Sequence, residues 1–150
     1  MVEEKPKSIK IIGIIVAVIA AFSILSSVLG LFMFDSLAPS VGTAEENPYS
    51  VQSLAYIKPL AILSIIISLG FLMVGLYIMR YKKQARILAL IFAVPALISI
   101  WYHTFFIASN NPFDRGEFDI EHVIGAILYS APIIFLINYL NKEKIKNHFA

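Results

Sequence analysis

Two histidines and a set of carboxylates are the residues best equipped for chemistry in this chain. His103 lies in "IWYHTFF" and His122 in "FDIEHV", and between them come Asp114, Glu117, Asp119 and Glu121. Imidazole nitrogens and carboxylate oxygens are ligands for zinc or another divalent transition metal, so His103, His122 and Glu121 make a candidate metal site. Their spacing matches no recognised metal motif, and the competing reading is an acidic rim at a membrane surface. Paired histidines also ligate haem, but haem-carrying bundles hold them within the membrane on facing helices, whereas these two end and begin adjacent apolar stretches.

A second candidate is built on prolines. Pro95 follows Arg86 by nine residues and Pro132 precedes Lys142 by ten. At ~1.5 Å per helical residue, both fall near ~15 Å from the same membrane edge. Each proline removes a backbone donor and releases the carbonyl four residues earlier, at Ile91 and Leu128. Two kinks at equal depth open a midplane cavity in one reading, with Ser99 and Ser130 beside it, and transporters do place sites at broken helices. Proline is equally tolerated in membrane helices that carry no site.

The elements that must position these residues are membrane helices. Of 150 residues, 59% are hydrophobic and only 15% charged, with a mean hydropathy of +0.80; a soluble chain carries about 25% charge. There is no cysteine, which removes disulfide frameworks, thiol redox centres, iron-sulfur ligation and cysteine zinc sites together. Four apolar stretches, about 9–34, 59–79, 87–108 and 123–140, are long enough to cross the ~30 Å of hydrocarbon. The first follows Lys5, Lys7 and Lys10 in the manner of a signal peptide. Its apolar run exceeds the ~7 to 15 residues of a secretory core, so it reads as an uncleaved span.

Charge sets the orientation. Lys5, Lys7, Lys10, Arg80, Lys82, Lys83, Arg86, Lys142, Lys144 and Lys146 all fall on one side of a four-span arrangement, against Lys58 and Arg115 on the other. Cytoplasmic loops collect Lys and Arg, so both termini are expected in the cytoplasm of a prokaryotic plasma membrane. The basic face would favour anionic lipid head groups. Residues 80–86, "RYKKQAR", leave room only for a tight hairpin, so spans two and three are antiparallel neighbours. In the first outer loop, Asn47 as cap and Pro48 at the first helical position start a helix that either lies along the interface or extends span two. Residues 109–121 carry Asn, Pro and Gly turn signals.

Within lipid, helices associate by close approach of small residues. Span one offers Gly13, Ala17, Ala20, Ser27 and Gly30; span two Ala61, Ser64, Ser68 and Gly75; span three Ala85, Ala89, Ala93, Ala96 and Ser99, with His103 next on that line; span four Gly125, Ala126 and Ser130. His103 comes 17 residues after Arg86, at about 25 Å along the span, in an aromatic belt with Trp101 and Tyr102. All 12 basic and 10 acidic residues fall in loops or at span ends. Ion-coupled pumps, proton relays and voltage sensors need a charge within the membrane, and small multidrug transporters, membrane glutathione transferases and quinone-linked thiol oxidoreductases need residues this chain lacks.

The segments "RYKKQARILALI" and "YLNKEKIKNHF" resemble small, functionally uncharacterised prokaryotic four-span membrane proteins, over the second half of the chain. The resemblance implies the architecture and carries over no activity and no site residues. The expectation is therefore an all-α polytopic membrane protein, a single domain over 1–150, with four transmembrane helices in an antiparallel bundle, N-in/C-in. It carries no catalytic constellation, no cofactor signal beyond the metal candidate, and nothing directed at nucleic acid. The leading functional reading is a non-enzymatic structural or interaction protein, as a homo-oligomer or a subunit of a membrane complex. The alternatives are a transporter or channel for a small neutral or amphipathic solute, with its path near Pro95 and Pro132, and a metal or haem protein using the two histidines.

Overall fold

A computed structural model describes residues 6–37, 48–107 and 120–149, with side chains described over 6–33, 58–105 and 120–149. The elements are α1 Lys7–Leu37, α2 Pro48–Met79, α3 Gln84–Tyr102, a π-helical turn His103–Ile107, α4 Ile120–Asn141 and a short α5 Glu143–Lys146. No strand occurs among the described residues. Four stretches are long and apolar enough to cross a membrane: Lys7–Met33, Lys58–Met79, Gln84–Phe105 and Ile120–Asn141. Large apolar side chains such as Phe22, Ile62, Ile98 and Phe135 stand exposed on every helix, a pattern that only lipid makes stable. The chain is an integral membrane protein.

The helices exceed the expected spans. Pro48 opens α2, which runs unbroken through Pro59 to Met79, so the helix foreseen in the first outer loop is an extension of span two. At the first helical position proline loses nothing, because that N–H has no intrahelical acceptor. α4 begins at Ile120 and so takes Glu121 and His122 into its first turn, where a carboxylate is favoured by the partial positive charge of the helix N-terminus. The Asn47 cap and residues 109–119 of the irregular loop expected over 109–121 lie outside the described residues, while Ile120 and Glu121, expected in that loop, are helical.

Packing is serial: α1 lies along α2, α2 against α3, and α3 against α4, while the remaining pairings among the four are slight. Between α1 and α2 the approach is one of backbone to backbone. A Cβ placed on Gly75 would fall 2.7 Å from the Ala17 amide nitrogen and 2.8 Å from the Gly13 carbonyl oxygen. One on Gly13 would fall 2.9 Å from the Gly75 carbonyl oxygen and from the Met79 nitrogen. Backbone touches backbone here, which is what small residues permit in the absence of a hydrophobic drive between helices. Further along the same seam the Ser27 and Ser64 hydroxyls are 3.0 Å apart.

The two ends of the bundle differ. At the end carrying Pro6, the 80–83 hairpin and the tail, here called the basic end, Ile9, Ile78 and Leu140 are almost fully buried with Val74, Ala85, Ala89, Leu136 and Phe149. The hairpin is a Schellman turn: the Lys82 N–H donates to the Tyr77 carbonyl (2.9 Å) and the Tyr81 N–H to the Ile78 carbonyl (3.0 Å). The position that usually falls to glycine is Tyr81, at φ 54°. Left-handed backbone costs a side-chain-bearing residue about 1 kcal/mol, and the side chain supplies the compensation. Its hydroxyl donates to the Pro6 carbonyl at 3.1 Å and its ring lies 6.4 Å from that of Phe149, so one residue ties three segments together.

Two outcomes test this packing. Gly75→Leu puts a branched side chain into backbone that cannot yield, and should lower stability by about 1–3 kcal/mol, seen as an earlier melting transition in detergent. Gly30→Leu, whose Cβ would meet nothing within 4 Å, should leave that transition in place. Tyr81→Phe keeps the ring and removes only the hydrogen bond to Pro6. A loss of about 0.5–1.5 kcal/mol is expected, with faster amide exchange confined to the first turn of α1.

Candidate functional site

A cavity of about 680 Å3 lies between α2, α3 and α4 at the end opposite the basic one. It follows from the serial packing. α2 and α4 both rest on α3 and barely touch one another, so wherever the side chains between them are small a groove is left. Leu60, Ala61 and Ser64 form the α2 wall; Ser99, Ile100, His103 and Thr104 form the back; Gly125, Ala126 and Tyr129 complete the α4 wall below Glu121 and His122. The volume is in the usual range of small-molecule sites. The lining combines apolar side chains with two imidazoles, a carboxylate and four hydroxyls.

The π-helical turn shapes the back wall. Where α3 widens after Tyr102, the His103 N–H points to both the Ser99 and Ile100 carbonyls, and the Thr104 hydroxyl donates to the Ile100 carbonyl at 2.9 Å. Those side-chain and backbone bonds absorb the loosened turn, and π-helical insertions of this kind recur at functional sites. The Thr104 hydrogen is thereby committed, leaving its oxygen as an acceptor toward the groove. Thr104 is buried, His122 half-buried, and His103 and Glu121 exposed. On α2, Ser64 reaches the groove while its hydroxyl is also bonded to Ser27 of α1, which couples the first helix to the site.

The two sets of residues singled out in the sequence fare differently. His103, His122 and Glu121 are brought to one groove, on neighbouring elements. Among the described residues, however, no group of three or more His, Asp or Glu side chains is placed to hold a metal ion. Of the midplane set, only Ser99 lines the groove. Pro95 lies inside α3 and Pro132 inside α4, and at the basic end of that pair the Arg86 Nη2 donates to the Asn141 Oδ1 (2.9 Å). The open space lies nearer the other end of the two helices, from Ser99 onward on α3 and up to Tyr129 on α4, and Ala93 and Ala96 on either side of Pro95 are buried. Ser130 is 3% exposed, and its hydroxyl has no hydrogen-bond partner.

Several lining residues were not read as functional. Ser64, Gly125 and Ala126 belong to the small-residue stripes, and their signal was open to a second meaning: a small residue either admits a helix or leaves a space. A Cβ on Gly125 meets nothing within 4 Å, so at this position the space is what remains. Thr104 and Tyr129 had no sequence signal at all. Tyr129 is 74% exposed at the rim, an aromatic ring with a polar tip. No protein-family model, curated protein or solved structure matches the chain, so the site stands on its own geometry.

Proposed function

We propose that this chain binds a small amphipathic solute in the groove between α2, α3 and α4, as the holding step of a transporter or channel. The observation that carries this reading is the groove itself: a cavity of about 680 Å3 whose lining combines apolar side chains with imidazole, carboxylate and hydroxyl groups. Leu60, Ala61, Ile100 and Ala126 suit a short hydrocarbon portion. His103, Glu121, His122 and the hydroxyls suit a head that exchanges hydrogen bonds. The reading assigns the groove a binding role and no catalytic step. The protein sits in the proposal in a prokaryotic plasma membrane with its basic end in the cytoplasm, against anionic lipid head groups, on the strength of the clustering of Lys7, Lys10, Arg80, Lys82, Lys83, Arg86, Lys142, Lys144 and Lys146 at that end.

A second reading, an interaction subunit or homo-oligomer, is favoured by one observation. α1 packs chiefly on α2 and leaves a row at alternating spacings of four and three, Ile11, Ile15, Val18, Phe22, Leu25, Leu29 and Phe32, each more than half exposed. That is the spacing of a helix-helix seam.

The test uses Gly125. Gly125→Leu fills the groove without a clash, so it should remove ligand while leaving the fold intact. Native mass spectrometry of protein purified from its own membranes in mild detergent is expected to show a small amphipathic molecule on the wild type and about tenfold less on Gly125→Leu, with the melting transition lowered by the lost ligand stabilisation. An equal mass spectrum for the two proteins, with or without adducts, sinks the groove reading. For orientation, a fluorescent protein fused after the tail should fluoresce and an alkaline phosphatase fused there should be inactive; the reverse pattern would turn the protein over.

A further inference from the structure

Among the described residues, three buried side-chain polar atoms lack a hydrogen-bond partner: the Ser130 hydroxyl, the Tyr139 hydroxyl and the Arg86 Nε. All three lie on α3 and α4. Ser130 is buried against α3, the one long helix with which α4 packs extensively, and it sits one turn below Ala126 in the wall of the groove. Tyr139 and Arg86 belong to the opposite, basic end, where the Arg86 Nη2 donates to Asn141. A serine in a helix can donate to the carbonyl four residues back, as the half-buried Ser23 does to Ile19 (3.0 Å). Ser130 does not, and its hydroxyl is left without a partner where α4 packs on α3. Orphaned polar groups are rare in membrane interiors, because nothing in the hydrocarbon satisfies them.

The geometry points to the α3–α4 seam as a path for small neutral hydrogen-bonding solutes, with the groove as its mouth, the unpartnered Ser130 hydroxyl as its first station, and Tyr139 with Arg86 and Asn141 at its exit. The inference rests on the groove being a ligand site and adds a route and a solute class to it. The seam is closed in this structure between the two ends, where Ala89 and Leu136 are 1% and 5% exposed within the sealed cluster. Leu136 is therefore the gate: it alone of that pair has a side chain large enough to move aside.

The chain has no cysteine, so single cysteines report water at chosen positions without a background. Methyl methanethiosulfonate reacts with thiolate, and a thiol in lipid or dry protein stays protonated, so Ser130→Cys in proteoliposomes should react about tenfold faster than the lipid-facing Phe135→Cys. Ser99→Cys, in the groove, is the companion variant. If Ser99→Cys reacts while Ser130→Cys is as slow as Phe135→Cys, the path is overturned and the groove stands; if neither reacts, the groove reading falls as well. Glycerol entry followed by stopped-flow light scattering gives the second measurement. Leu136→Ala, or the milder Leu136→Val where the first does not fold, should speed entry severalfold over the wild type, and an unchanged rate overturns the gate.

Discussion

Four alanines on one face of α3, at 85, 89, 93 and 96, are almost fully buried, and both neighbours of α3 approach the backbone across that face. Lipid is as apolar as leucine, so no gain in burial drives such an approach; the gain is dispersion between closely fitted surfaces. A helix that takes a partner on two sides keeps those partners from meeting. Near the basic end Val74, Ile78, Leu136 and Leu140 fill what is left between them. Toward the other end the facing residues are Ala61, Ser64, Gly125 and Ala126, and no described side chain fills it. The groove is a result of side-chain volume on helices whose spacing is already set by α3.

Much of this was legible in the sequence, for physical reasons that differ from element to element. Length and hydropathy identify spanning helices because hydrocarbon admits no unpaired backbone, so four apolar runs become four helices. The equal depth expected of Pro95 and Pro132 follows from a constant rise per residue measured from Arg86 and Lys142. Helix ends were less legible: α2 could extend through Pro48 or stop short, and nothing local decides between them. The site was legible only in part. His103, His122 and Ser99 could be placed at a depth and on a face, but whether a small residue such as Gly125 admits a helix or leaves a space depends on the partner across from it, which periodicity does not name. The π-helical turn that carries His103 and Thr104 has no sequence mark of its own.

The polar groups tell a related story. Several hydroxyls in the bundle are paired, Ser23 with Ile19 and Thr104 with Ile100 within a helix, and Ser27 and Ser64 with each other across two. Such bonds hide a polar group from lipid at little cost to the helix. The unspent ones, on Ser130, Tyr139 and Arg86, are gathered on a single pair of helices. If polar atoms were scattered as by-products of composition, α1 and α2 would hold their share, since they carry most of the serines.

The latch at Tyr81 bears on how the protein is made. It joins Pro6, at the start of α1, to Phe149, beyond α5, through a turn between α2 and α3. The α1–α2 seam is local in sequence and can close as soon as two helices are in the bilayer. The basic end is non-local: Ile9 and Phe149 belong to one cluster, so it cannot close until α4 has entered and turned back. Assembly therefore has an order written into it, in which a helical hairpin stabilised by backbone contact waits, with one end still open to water, for the last segment to arrive and cap it.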